Sequence, residues 1–517
     1  MKKSLVLQLI FISIITFIVY SNVIDGKFLF DDEHFILRNV YITDWKYIKN
    51  IFFSNITSGA GLKDNFYRPL STFIWLIINK TFGLNNKIFH IINILFHITN
   101  ALLIYLTIFK IFNTKTIAFL ASLFFALHPV NTEAVCYISG LGDPLSFVFV
   151  LLCIYLYILL REKNNSTKIF IFIISNILAI LSKERGVVLP ALLVITEIYF
   201  SIKEKKTLLY FLKNKSYLLT IYIFSSLLSI LWFISRLTIF NFQNTFNFFR
   251  LPNVYSQNLY VRIFTFLNAF TEYLKLIIKP YPLYMERTLP VFLNFFNLKV
   301  IFGFSLIILI MILSIIKLKK YPEIFYSFGW FLICLLPTSG IIPINALFME
   351  HWLYFSMFGV CIFISLLLKN YNWLKIFISF VLIIFAILTY EQTFIWLEPY
   401  TFFKHILKYN PNSVAANNNF AMAAVEKGEL ETAIFHYKKA ISLDDTFPQP
   451  HHNLARIYVS LGEINQAIEE YNKALKIDPD FIYSHIDLFN IYTQLNKKDK
   501  ANFHKSKIEE ITKKMYE

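Results

Sequence analysis

A chain that alternates apolar runs of about twenty residues with short basic clusters has few folds open to it. A bilayer core takes about 20 apolar residues in a helix. Lipid offers the backbone no partners, so a helix, which pairs its own N–H and C=O groups, is what crosses. Runs read as spans lie near 5–23, 88–109, 116–130, 144–160, 169–182, 187–202, 217–240, 299–316, 324–344, 353–368 and 373–390, about eleven in all. The first, Leu5 to Val23, holds no charge, follows Lys2 and Lys3, and lacks a small-residue cleavage site after it. It reads as an uncleaved anchor. A hydrophobic share of 56% and a mean hydropathy of +0.55 agree with a polytopic membrane protein.

The net charge of +16 would suggest nucleic acid in a soluble chain. Here the basic residues gather between spans, at Lys110 and Lys115, Arg161 to Lys168, Lys203 to Lys215, Lys317 to Lys320, and Lys369 and Lys375. That is a topology signal, since basic loops stay cytoplasmic, and no nucleic-acid partner is expected. The N-terminus is then cytoplasmic. Ile24–Lys87, His128–Asp143, Lys183–Gly186, Asn241–Leu298 and Asn345–His351 fall outside. Segment 258–280 carries Arg262, Asn268, Glu272 and Lys275 and reads as an amphipathic helix at the outer surface. The odd span count puts the C-terminal region outside. Cys136, Cys153, Cys334 and Cys361 form no CxxC, so neither a disulfide framework nor a zinc site is expected. The abundant Ile, Phe, Lys and Asn read as the product of an AT-rich genome.

His90, Asn93, His97 and Asn100 recur at steps of three and four, which places them on one face of a span. Such a face turns into the bundle. Interhelical hydrogen bonding is favoured over a metal site, because His90 and His97 stand roughly 10 Å apart along a helix.

From Pro411 the composition becomes that of soluble helix. Phe420, Leu454 and Leu488 recur every 34 residues, as do Ala433, Ala467 and Ala501, Tyr437 and Tyr471, and Gly428 and Gly462. This is the tetratricopeptide pattern of paired helices stacked into a solenoid. The expected fold is all-α: a membrane helix bundle over 1–392, a linking helix over 393–410, and an α-solenoid over 411–517 with repeats at 414–447, 448–481 and 482–515.

No GxxxxGK[ST], HExxH or GxSxG motif occurs, and Gly140-Leu141-Gly142 lacks the rest of a dinucleotide fingerprint. The outside loops instead hold acids and bases at the mouths of spans, among them Asp31, Asp32, Arg68, Glu133, Asp143, Lys183, Glu286, Arg287, Glu350 and His351. That inventory suits transfer of a sugar from a lipid phosphate to a hydroxyl. A carboxylate accepts the hydroxyl proton, and cations receive the departing phosphate.

Phe30-Asp31-Asp32, Tyr67-Arg68-Pro69-Leu70, the His90 to Asn100 stripe, Ala126-Leu127-His128-Pro129-Val130 with Glu133, Gly140-x-x-Asp143, Leu181-Ser182-Lys183-Glu184 and Met349-Glu350-His351 occur in this order. The ordered set resembles the transmembrane and tetratricopeptide-repeat O-mannosyltransferases of the GT-C superfamily and their bacterial relatives. Relatives often carry Arg-Arg where this chain has His351-Trp352, and their pattern near 284–287 differs. The resemblance implies a membrane glycosyltransferase that takes a sugar, mannose in animal relatives, from a polyprenyl-phosphate donor. The acceptor is a hydroxyl of protein Ser or Thr, with the repeats presenting the protein. Carried residue by residue, it assigns catalysis to Asp31 and Asp32, with one of them as general base; which of the two is open, with a slight preference for Asp32. It assigns the sugar and acceptor site to Glu133 and Asp143, and the lipid phosphate to Arg68, Lys183 and His351. A divalent metal is left open, and no other cofactor is expected. The expected location is a bacterial cytoplasmic membrane, or the endoplasmic reticulum if the chain is eukaryotic. A polysaccharide polymerase or ligase and a non-catalytic membrane scaffold are the alternatives.

Overall fold

The computed structural model of the chain describes residues 2–206, 215–242, 253–344 and 346–516. Lys213 in the basic cluster 203–215, part of the loop 241–298, and Asn345 lie outside these residues. The described residues are helical or irregular, with no strand among them. They form two compact units, Met1–Leu397 and Glu398–Glu517.

In the first unit seven helices are long and apolar enough to cross a membrane: Ser4–Asp25, Asn86–Phe112, Ile138–Glu162, Glu184–Lys203, Ser216–Leu237, Leu298–Ile316 and Trp373–Trp396. The pair Lys115–Leu127 and Pro129–Cys136, bent by 52°, makes an eighth crossing if counted as one span. Three shorter apolar helices, Ser166–Ser182, Pro322–Thr338 and Met357–Asn370, occupy the remaining places where the sequence predicts spans. Helix Ile138–Glu162 is central, with 78% of its most apolar window buried, against 17% for Leu298–Ile316. The peripheral helix leaves Phe302, Leu309, Ile312 and Ile315 exposed. Water would not tolerate rows of this kind, whereas lipid requires them. Many helices begin on asparagine. Asn85, Asn165, Asn258 and Asn297 each accept a backbone N–H of the first turn, which satisfies donors the helix cannot pair itself. These asparagines therefore have a structural use that genome composition alone does not supply.

The polar stripe faces inward, and His90, Asn93, His97 and Asn100 are all buried. His90 Nε2 lies 3.2 Å from Gly26 O, and Asn93 Nδ2 donates to Tyr137 O at 2.9 Å. His97 bonds Tyr354 Oη at 2.7 Å and Ala126 O at 3.0 Å, while Asn100 donates to Pro144 O at 2.8 Å. The stripe is a set of interhelical hydrogen bonds. It anchors the first long loop and the turn at 137–144.

Helix Leu259–Ile278, within the segment read as an amphipathic helix, is not among the helices apolar enough to span. Its buried face carries Arg262, whose guanidinium donates to Gly340 O at 2.5 Å and Ser256 O at 2.8 Å. It presses on Leu298–Ile316 at Gly303, where a Cβ would lie 2.1 Å from Leu267 O.

The second unit opens on helix Pro399–Tyr409 and continues as three helix pairs: Val414–Glu426 with Leu430–Leu443, Pro448–Ser460 with Ile464–Ile477, and Ile482–Gln494 with Lys498–Tyr516. The small and aromatic residues of the 34-residue period, Ala421, Ala455, Ala433, Ala467, Tyr437 and Tyr471, are buried between the helices. The turn inside each pair needs a left-handed residue, supplied by Gly428, Gly462 and Asn496 at φ of 79°, 78° and 56°. Glycine pays no steric penalty there and asparagine little. A polar clasp repeats at the same period. Asn417 bonds His436 at 2.8 Å, His451 bonds Glu470 at 2.5 Å, and His485 bonds His504 at 2.8 Å.

Candidate active site

The helix Lys115–Leu127 stops because His128 precedes a proline, which forces it into an extended conformation (φ −72°, ψ 124°). The chain then makes the short helix Thr132–Cys136, turns over Ile138–Leu141 and re-enters the bundle from Gly142. Every residue from 128 to 143 is buried apart from half-buried Gly140. This re-entrant turn carries Glu133, Tyr137, Ser139 and Asp143.

Facing it is the loop that follows the first span. The loop is itself helical, with a π turn at Glu33–Leu37, several short turns, and the 14-residue helix Pro69–Phe82. Phe35, Ile36, Trp75 and Leu76 pack with Ile138 and Leu141 of the re-entrant turn. Asn55, in an Asn-x-Thr sequence, is buried and caps its own turn by accepting from Thr57 N at 3.0 Å.

Between these elements lies a cavity of about 690 Å³. Of the predicted site residues, Asp31, Arg68, Glu133, Asp143, Lys183 and His351 line it. Asp32 does not. It is 1% exposed, with Oδ2 accepting Leu29 N–H at 2.8 Å and Oδ1 accepting Ser139 N–H at 2.9 Å together with the Ser139 hydroxyl. Four lone-pair directions on a carboxylate leave little beyond these bonds, so of the two neighbours it is Asp31 that lines the cavity. Phe30, just before Asp31, sits at φ +50°, a strained position of the kind that functional sites retain.

Three other acids of the cavity, Glu133, Asp143 and Glu184, are paired with basic side chains. Arg68 forks onto Glu184, Nε to Oε2 at 3.0 Å and Nη2 to Oε1 at 2.9 Å. Lys183 Nζ lies 2.6 Å from Asp143 Oδ2, and Arg185 lies 3.5 Å from Oδ1. Arg185 also donates to Cys334 O and Trp352 O, at 2.9 and 2.6 Å, and so fastens the 350–353 turn to the site. His351 Nδ1 lies 2.7 Å from Glu133 Oε1, and Arg287 lies 3.2 Å from Glu350. The tight return at Lys183-Glu184-Arg185 depends on Gly186, where a Cβ would meet the Ala179 backbone at 2.7 Å.

Asp31 differs. Among the ion pairs of the described residues none includes it. Its amide donates to Tyr137 Oη at 2.9 Å, and the phenol in turn bonds its carboxylate. Burial pushes the Asp31 carboxyl up to about 6, against the pull of Tyr137 and Arg68 and with a push from Asp64 and Glu286. Burial also raises Asp32, to about 7. Asp31 is therefore a carboxylate near the operating range of a general base. Among the described residues no three His, Cys, Asp or Glu groups converge as a metal set. Glu184 is engaged by Arg68, Asp143 by Lys183 and Arg185, and Glu133 by His351.

Tyr137 and Ser139 were not expected at the site, and Arg185 counted only among the charges at the mouths of spans. Tyr137 and Ser139 carry no charge to mark them, although both sit between Glu133 and Asp143. Arg185 directly follows Lys183 and Glu184.

The family model for the TPR repeat matches residues 422–459 and 455–496. Among curated proteins, the chain is 31% identical to protein O-mannosyl-transferase F38B6.6 of Caenorhabditis elegans over 184 residues, 34% of this chain and 26% of that protein. It is 24% identical to protein O-mannosyl-transferase TMTC3 of Mus musculus over 465 residues, covering 81% of this chain and 49% of that one. For protein O-mannosyl-transferase TMTC1 of Homo sapiens the identity is 22% over 483 residues, covering 82% and 54%. The chain spans about half the length of the two TMTC relatives and about a quarter of the worm protein. It is a TMTC-like protein, a bundle of apolar membrane helices joined to tetratricopeptide repeats and homologous to proteins named as O-mannosyl-transferases.

Proposed function

We propose that the protein is a membrane glycosyltransferase. It moves a sugar, mannose by the names of its relatives, from a polyprenyl-phosphate donor to a Ser or Thr hydroxyl of a protein. The work is done at the outer face of the membrane, in a bacterium the cytoplasmic membrane, with the N-terminus inside and the repeats outside. The observation that carries this is Asp31, which lines the cavity, belongs to no ion pair among the described residues, is raised toward neutrality by burial and stands among groups that suit a sugar phosphate. The acceptor hydroxyl gives its proton to Asp31 as its oxygen bonds the anomeric carbon, and the bond from that carbon to phosphate breaks. Arg68, Lys183 and His351 receive the phosphate charge. Glu133 and Asp143 hold His351 and Lys183 in place and border the sugar. Asp32 fixes the loop that carries Asp31.

Mass spectrometry of cell-envelope proteins, with and without the gene product, tests the reading. Hexose on Ser or Thr is expected to disappear without the protein and to return with the wild type but not with Asp31→Asn. An unchanged glycoprotein set would sink it.

A further inference from the structure

We infer that Glu133 and His351 form a carboxylate–imidazole dyad that hands a proton to the departing phosphate. The inference rests on the reading of the site as a sugar transferase and adds a second proton transfer to it.

Both oxygens of Glu133, a residue 2% exposed, are spent on His351. Oε1 lies 2.7 Å from ring Nδ1, and Oε2 accepts the His351 backbone N–H at 3.0 Å. Two bonds to one residue fix both the ring and the turn that carries it, and they place a hydrogen on Nδ1. A carboxylate on one imidazole nitrogen is how proteins orient a ring for proton transfer at the other. Here the other is Nε2. Its nearest acid, Asp143 Oδ2, is 3.9 Å away, outside hydrogen-bond range. His351 lines the cavity that Asp31 also lines.

The charges around the ring favour this assignment. Asp143 is balanced by Lys183 and Arg185. Arg185 also donates to His351 O at 3.3 Å. Glu350, the preceding residue, is held by Arg287. Glu133 is thus the carboxylate bonded to the ring, at 2.7 Å, against 3.9 Å for Asp143. Arg68 and Lys183, paired with Glu184 and Asp143, meet the leaving group as fixed charges. His351, held at Nδ1 by Glu133, has Nε2 left to hand over a proton.

The step balances. The bond between acceptor oxygen and anomeric carbon forms, and the acceptor proton goes to Asp31. The bond between anomeric carbon and phosphate oxygen breaks, its electron pair stays on that oxygen, and the oxygen takes the Nε2 proton. Water then returns the proton from Asp31 to His351, so no other reactant is consumed.

The test is the pH–rate profile of the purified full chain with polyprenyl-phosphate mannose and a serine peptide. The wild type, His351→Arg, His351→Gln, Glu133→Gln and Asp31→Asn are compared. His351→Arg keeps a cation but has no proton to give. It is expected to retain the KM for donor within about threefold, to lose ~100-fold in kcat, a typical general-acid contribution, and to lose the basic limb of the profile. His351→Gln should lose both donor affinity and kcat. In Glu133→Gln the imidazolium lacks its carboxylate, so the basic limb moves to lower pH, a readout that stands if His351→Arg fails to fold. A wild-type kcat with an unchanged basic limb in His351→Arg, or an unmoved limb in Glu133→Gln, overturns the dyad while inactive Asp31→Asn leaves the transferase reading standing. An active Asp31→Asn, or an inactive wild type, overturns the transferase reading and the dyad with it.

Discussion

Ser139 donates both its backbone N–H, at 2.9 Å, and its hydroxyl to a single oxygen of Asp32. Two residues earlier on the same turn, Tyr137 accepts the amide of Asp31 at 2.9 Å. Neighbours on the first long loop thus meet alternate residues of the re-entrant turn. The pairing sends one carboxylate into the protein and leaves the other facing the cavity. Asn93, from the polar stripe, holds the turn by donating to Tyr137 O at 2.9 Å, so a buried span sets the position of Asp31 through two hydrogen bonds.

The pairing separates the two aspartates by experiment. Asp31→Asn should lower transfer by about 10²–10⁴-fold, the usual contribution of a general base, without shifting the melting temperature in detergent. Asp32→Asn should act on the fold. Its amide has one acceptor oxygen for the three donors of Leu29 and Ser139, and the unmade bonds cost about 1–3 kcal/mol each. Thermal unfolding and transfer measured on both variants decide the matter. A stable but inactive Asp32→Asn beside an active Asp31→Asn would reverse the assignment.

Asp32 also predicts how stability follows pH. Its carboxyl stands at about 7 in the fold, raised by burial, against 3.8 for an ordinary aspartate. Between these values the folded chain holds a proton that the unfolded chain has released. The stabilising contribution is therefore full below about pH 4 and is lost as pH rises through about 7. Melting temperatures taken from pH 5 to 8 should fall more steeply for the wild type than for Asp32→Asn, whose amide does not titrate. Parallel curves would show that Asp32 is not the group responsible.

The spans were legible because about twenty apolar residues in a row admit one reading, and the 34-residue period of Ala421, Ala455 and their companions was equally direct. The stripe was legible because four polar residues on one helical face have to find partners inside. The interior of the first long loop was not. Helix Pro69–Phe82 buries Trp75 and Leu76 against that loop and the re-entrant turn, and its continuous apolar run, Phe73 to Ile78, is too short to read as a span. The charged site residues could be listed from their positions at span mouths, yet their pairing could not. Arg68 meets Glu184 across 116 positions of chain, and His351 meets Glu133 across 218. For the same reason Asp31 and Asp32 were indistinguishable in sequence, since the contact that divides them comes from Ser139, 107 residues away.

Tyr137 offers a gentler probe of the base than any acid substitution. Its hydroxyl bonds the Asp31 carboxylate and draws that group's pKa down against burial. Tyr137→Phe removes the bond, so Asp31 should hold its proton to higher pH. The acid limb of transfer, expected near pH 6 from the value for Asp31, should move upward. The loss of rate should be large at pH 6 and small at pH 8. Equal loss at both pH values would mean that the phenol serves packing alone.

The repeats can be tested without cutting the chain. Ala455 is fully buried on helix Pro448–Ser460, in the core shared with Tyr437 and Tyr471. Ala455→Leu forces extra methylenes into a helix contact that has no space for them, a change that costs about 1–3 kcal/mol. The repeats depend on neighbour contacts for their stability, so the second repeat should loosen while the membrane bundle keeps its own core. Limited proteolysis should then cut within 411–517 before the bundle. If the repeats present the acceptor, Ala455→Leu should transfer to a short serine peptide at the wild-type rate and transfer to a folded protein acceptor at least tenfold more slowly. Equal loss on both acceptors would instead make the repeats a structural support for the cavity.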